Sequence, residues 1–205
     1  MYWSRFTTSR IRLWQKLREQ KPEDVCRRTQ AKPGPGGYLL PFLNRELAVS
    51  LADGRVGGEL ADPLLEDQEL ELLLLTYLTQ AEETPPSGAW ITEKDLPGGS
   101  LFFRGPHALP VQPLVRRFGP DREAYRRAAA GLGGTPLAFG DASFGFRVLP
   151  RLPAAGILWL GDEEFPARFT MMFDRTMDHH LPLDVVLALA HCLGQALLAQ
   201  AGPPG

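Results

Sequence analysis

Between Gly161 and Asp184 the sequence GDEEFPARFTMMFDRTMDHHLPLD carries eight groups able to hold a divalent ion or move a proton: Asp162, Glu163, Glu164, Asp174, Asp178, His179, His180 and Asp184. Carboxylates and neutral imidazoles are suitable ligands for such an ion, and His beside Asp or Glu can do general acid-base work. The spacing is weaker than the census. Adjacent His179 and His180 point to opposite sides of a regular strand, and no H-E-x-x-H pattern places two imidazoles on one helix face. The stronger reading is that the acids cap turns and the His pair opens the last helix. Asp174 follows the apolar run FTMMF, where a carboxylate accepts amides from the following turn.

Arg116, Arg117, Arg122, Arg126 and Arg127 crowd into twelve residues with only Asp121 and Glu123 between them. Such a cluster could receive a phosphate, an acidic partner or a polyanionic cofactor. However, Arg outnumbers Lys eighteen to four across the chain, a bias of the kind a GC-rich genome imposes, so a solvated helix face is the simpler reading. His191 and Cys192 are neighbours on a helix and diverge by about 100°, which makes a poor nucleophile-base pair. Phosphate-loop, dinucleotide-loop and hydrolase-elbow motifs are missing, and there is no internal repeat.

The elements that must position these groups follow from periodicity. Phe6, Leu13, Trp14 and Leu17 predict an amphipathic first helix, and Pro22 with Glu23 and Asp24 starts a second. Residues 1–31 therefore form a helical N-terminal segment. KPGPGG, residues 32 to 37, reads as a linker into a small antiparallel meander of YLLPFL, ELAVSL and RVGG, with Asp53-Gly54 as a turn and Pro41 at an edge or bulge. Residues 66 to 83 predict a largely buried helix whose inward face carries Leu70, Leu73, Leu74, Tyr77 and Leu78; Glu66, Asp67, Glu69 and Glu71 suit its positive end. Asp121 to Leu132 is a helix with Ala124, Tyr125, Ala128, Ala129 and Leu132 inward. Four apolar runs, PLAFG, SFGFRVLP, GILWLG and ARFTMMFD, read as a larger antiparallel sheet. A long helix from Pro182 to Gln200 closes the chain, with Leu183, Val186, Leu187, Ala190, Leu193 and Leu197 on one face and Ala188, Cys192 and Ala199 on a smooth second face.

The fold class is α+β: an antiparallel sheet packed with helices and a long C-terminal helix, in one domain over residues 1–205 with 201–205 as a flexible tail. Twenty-two basic against twenty-four acidic residues leave a formal charge of −2, which argues against a general nucleic-acid binder. No apolar run reaches about 18 residues, since Leu183 to Leu198 is interrupted by His191, Cys192 and Gln195, so no membrane association is expected. The N-terminus has no secretory signal pattern, and the expected location is the cytoplasm. Cys26 and Cys192 lie too far apart for a local metal or cluster motif. No metal site and no particular cofactor is assigned.

The stretch from Leu158-Trp159 through Gly161-Asp162-Glu163-Glu164-Phe165-Pro166, then Phe173-Asp174 and Leu181-Pro182, resembles an uncharacterised family of soluble proteins found mainly in anaerobic bacteria and archaea. The Leu78 helix, the Gly88 to Trp90 turn and the Leu132 to Gly134 segment fit it too, so the likeness covers most of residues 10 to 200. Some members are joined to iron-sulfur modules, whose cysteine clusters this chain lacks. The resemblance implies an accessory or binding module in anaerobic redox or cofactor metabolism, partnered by another protein or a cofactor, with Asp162, Glu163, Glu164, Asp174, His179 and His180 near its recognition surface. The alternative is a metal-dependent enzyme acting through Asp162, Glu164, Asp174, His179 and His180. Residues 167 to 173 as a strand span about 23 Å, which predicts the GDEEFP turn and Asp174 at opposite ends of a hairpin.

Overall fold

The structure is a computed structural model that describes residues 2–57 and 68–202, with side chains from Arg10 onward. Two antiparallel sheets alternate with helices in an α+β arrangement. Helices α1 (Tyr2–Glu19) and α2 (Pro22–Thr29) lead into a four-stranded sheet of order β1-β2-β3-β4, made by Lys32–Gly34, Gly37–Phe42, Arg45–Ser50 and Arg55–Gly57. The expected linker KPGPGG is thus corrected: its first half is strand β1, registered Lys32↔Leu39 and Gly34↔Gly37. Pro33 tolerates this because β1 is an edge strand. Pro41 pairs with Glu46 on β3 and lies beyond the reach of β1, so its missing amide faces no partner strand.

Helix α3 (Gln68–Gln80) is buried almost all round, with Leu70, Leu73, Leu74, Tyr77 and Leu78 each at most 1% exposed. Glu66 and Asp67 lie outside the described residues, as does the side chain of Phe6. The second sheet has the order β5-β9-β8-β7-β6, from Trp90–Ile91, Arg168–Asp174, Leu152–Trp159, Ala142–Leu149 and Thr135–Pro136. Only the first two residues of the stretch from Thr135 pair as a strand; Leu137 to Gly140 form a loop. The short helices α4 (Gly99–Phe102) and α5 (Val111–Phe118) and the longer α6 (Arg122–Gly131) intervene, and α7 (Leu183–Ala201) ends the fold.

Antiparallel pairing gives each strand of the second sheet two faces with different neighbours. Phe144, Phe169 and Gly156 share one face, where Tyr125 of α6 stacks edge-on to both phenylalanines at 5.5 and 5.3 Å and donates its hydroxyl to the Gly156 carbonyl at 2.7 Å. Gly156 is required there, because a Cβ would sit 2.5 Å from that hydroxyl. Met171 of the same face meets α7 at Gly194. The two sheets join where the Leu43 amide, in a left-handed turn, donates to the Val148 carbonyl at 3.0 Å.

Helix α7 packs on α3, α5 and α6. Its burial is broader than the expected stripe: Val185, Leu189, Gly194 and Ala196 are buried, whereas Leu183 and Leu187 are only half-buried and Ala199 is exposed. By length and composition it is apolar enough to cross a membrane, with mean hydropathy 1.5, because His191 and Gln195 do not offset its aliphatic residues; 56% of that window is buried inside the fold. Replacing Leu74 by Ala is expected to cost about 2 to 5 kcal/mol by chemical denaturation; a loss under about 0.5 kcal/mol would remove α3 from the core.

Candidate functional site

The β8–β9 hairpin decides which candidate residues can meet. Its register runs from Trp159↔Arg168 at the turn to Ala154↔Phe173 at the far end. The acids of residues 162–164 therefore sit at one end of the sheet and Asp174, His179 and His180 at the other. No single groove holds both groups, which corrects the expectation of one recognition surface near the two turns.

At the turn end, the Asp162 carboxylate accepts the amides of Phe165 at 2.7 Å and Glu164 at 2.9 Å, and the Asp162 amide donates to the Phe165 carbonyl at 2.9 Å. These amides hold its pKa below the usual carboxylate value. Asp162, Glu163 and Glu164 are exposed. The loop before β7 lies beside them: Asp141 accepts the Leu160 amide at 2.8 Å and donates its own amide to the Leu158 carbonyl.

At the far end, Asp174 is 1% exposed. It accepts the Ser87 amide and hydroxyl at 3.0 Å, the Gly88 amide at 2.7 Å, and the Thr176 amide and hydroxyl at 3.0 and 2.7 Å. Burial pushes its pKa up, yet the donors from Thr176 and Ser87 outweigh it, so the group stays ionised and its pKa falls below the ordinary value. This carboxylate caps the 3-10 turn Arg175–His179 and pins the 87–88 turn to β9. Four of these donors converge on Oδ1 and one on Oδ2, so most of the acceptor capacity of the carboxylate is already used.

The His pair lies in and just after this 3-10 turn and precedes α7, so it does not open that helix. His179 is exposed and pairs with Glu82 at 3.2 Å. His180 is 2% exposed, tilts against Tyr77 at 6.5 Å between ring centres, and neither of its ring nitrogens has a hydrogen-bond partner. Burial first, and then the nearby charges of Arg151 and His179, lower its pKa to about 4 against the opposing pull of Glu82 and Asp174. The ring is therefore neutral at pH 7.

Next to it lies a polar junction that the sequence did not announce. The Tyr77 hydroxyl, fully buried in α3, donates to the Thr29 carbonyl at 2.9 Å and accepts the Arg151 amide at 3.2 Å. Arg151, in the turn between β7 and β8, sends its guanidinium to the carbonyls of Arg28 and Arg27 at the end of α2. Arg28 in turn reaches the Ala81 and Leu78 carbonyls at the end of α3. Each arginine satisfies orphan carbonyls at a helix terminus where the dipole favours a cation. Only the extreme separation in sequence, 123 residues between Arg28 and Arg151, hid this from pattern reading.

The five clustered arginines disperse. Arg122 and Arg126 reach Glu123 at 3.5 and 3.3 Å, and Arg127 reaches Asp121 at 3.8 Å. Arg117 donates to the Ala201 carbonyl at the end of α7 at 3.1 Å, while Arg116 is exposed. The acids at the start of α3 do more than cap it. Glu71 receives Trp14 at 2.8 Å and Arg10 at 2.7 Å from α1, and Glu69 meets His191 of α7 at 3.2 Å. Among the described residues no three His, Cys, Asp or Glu side chains come together as a metal site.

The depressed His180 pKa has a definite pH consequence. Between the ordinary value of 6.5 and the native value of about 4 the unfolded chain binds the proton and the native one does not. Stability is full above pH 6.5 and is lost as pH falls toward 4, by about 3 kcal/mol in all. His180→Leu should flatten that part of a denaturation-versus-pH curve; a slope equal to the wild type would contradict the assignment.

No curated protein and no solved structure matches the chain. A family model does, over residues 21–196. The chain belongs to the family described as a domain of unknown function, DUF3786.

Proposed function

We propose that the chain is a non-catalytic accessory module that binds another protein or a cofactor, and that it works in the cytoplasm, in the anaerobic redox or cofactor metabolism its resemblance implies. The observation that carries this reading is the second face of the five-stranded sheet. Helices α5, α6 and α7 gather on the face of Phe144, Phe169 and Met171. On the opposite face Ser143, Ala155 and Ile157 are buried, Ser143 through hydrogen bonds with the 137–139 loop, and the nearest neighbours of Gly145 are the side chains of Trp90 and Leu137, at 3.5 and 3.6 Å from the position of a Cβ. Trp90, Leu137, Met172 and Trp159 are half-buried there, and Phe139, next to the Gly140 that abuts the Trp159 ring, is 42% exposed. A surface that groups several aromatic side chains in this way is the usual mark of a binding face.

The enzyme reading has less support. It needs Asp162, Glu164, Asp174 and a histidine in one shell of about 2.0 to 2.6 Å, and the hairpin register separates them. Asp174 is already engaged by five donors.

Photo-cross-linking in the native host tests the binding reading. Phe139→p-benzoylphenylalanine and the same replacement at Phe165, which is 66% exposed, should give discrete adducts, whereas Ile11, 54% exposed on α1, should not. Absence of adducts at the two phenylalanines, or an identical pattern at Ile11, would overturn it.

A further inference from the structure

We infer that the half-covered face of the five-stranded sheet receives, at its β8–β9 turn end, a positively charged, amphipathic segment of a partner protein, with its basic end seated at that turn. This rests on the binding reading above and adds the partner's chemistry. The face is polarised. At the Trp159 end stand four exposed carboxylates: Asp141, Asp162, Glu163 and Glu164. The guanidinium of Arg168 lies 4.4 Å from the Trp159 ring centre, stacked on that ring. Four acids against one arginine exceed the formal charge of the whole chain, −2, so the negative field is concentrated at this end and the remainder is nearly balanced.

Two of the four large apolar side chains most exposed in the described structure, Phe139 and Phe165, stand at the same end. The loop of Phe139 is held there by the Asp141 and Leu160 contacts, and Gly140 sits against Trp159, with its Cβ position 3.2 Å from that ring. Two phenylalanines rimmed by carboxylates favour an occupant that brings aliphatic groups to the rings and ammonium or guanidinium groups to the acids. Toward the other end of the sheet the exposed charges are of both signs, among them Arg147, registered with Pro153, Arg175 and Asp178. The occupant's positive charge therefore belongs at the turn, where carboxylates outnumber the cation. A second copy of this chain would bring like charges together at that end, and an acidic ligand would meet the carboxylates directly.

The probe is a short peptide of alternating Lys and Leu, compared by calorimetry with its Glu-Leu counterpart. The Lys-Leu peptide should bind at least about tenfold more tightly, and the preference should shrink as salt rises. Glu163→Gln/Glu164→Gln and, separately, Phe139→Ser/Phe165→Ser should each weaken binding by about tenfold or more. Asp178→Asn, an exposed acid at the opposite end of the sheet, should leave it unchanged. Equal affinity for the two peptides, equal loss in Asp178→Asn, or self-association abolished by Phe139→Ser/Phe165→Ser would overturn the inference. If adducts form at Phe139 and Phe165 while the Lys-Leu peptide fails, the charge assignment falls and the binding reading stands. If no adducts form, that reading itself falls.

Discussion

The hydroxyl of Tyr77 sits where three parts of the chain meet. It stands near the C-terminal end of α3, donates to the end of α2 and accepts the amide of the β7–β8 turn. In a site with no exposure a satisfied hydrogen bond contributes about 1 kcal/mol net, but leaving its partners unpaired costs about 1 to 3 kcal/mol. The two arginines beside it extend the same logic, because each closes a helix terminus whose carbonyls would otherwise be orphaned next to the core. With the junction in place α3 can be buried on every side. Helix α7 can then pack on it and cover the large sheet.

Much of the chemical interest in the sequence is absorbed by this architecture. Asp174 is a buried anion, but its five donors make it a fastener for the 87–88 turn and the 3-10 turn. His180 is buried without a partner and pressed beside a guanidinium, which keeps it neutral. Glu71 ties α1 to α3, and Arg117 finishes α7. What remains is on the outside: the phenylalanines and exposed acids of the β8–β9 and β6–β7 loops, of which Asp141 and Asp162 also brace their own turns, and the half-covered aromatic sheet face beside them. That division favours recognition over catalysis.

The core was legible because its signal is local. Leu70, Leu73, Leu74 and Tyr77 repeat with the helix period, as do Ala124, Tyr125, Ala128 and Ala129, and all are buried. The separation of the GDEEFP turn from Asp174 followed from strand rise alone, and Asp174 as a turn cap followed from its place after an apolar strand. The misses are non-local. Strand β1 begins in a Pro-Gly run that carries no strand signal and is stabilised by pairing with β2. Arg28 and Arg151 form no local pattern, because their carbonyl partners lie on other elements. The half-open sheet face was invisible because alternation along β9 shows only which residues differ in burial. It does not say which face a helix will cover.

Amide hydrogen exchange at Arg151 tests the central claim most directly, since its N–H is the donor that the buried Tyr77 hydroxyl accepts. If the junction organises the fold, this turn amide exchanges only through global unfolding in the wild type. In Tyr77→Phe it should lose protection together with about 1 to 3 kcal/mol of stability. An Arg151 amide that exchanges in the wild type as fast as an exposed loop would contradict the account.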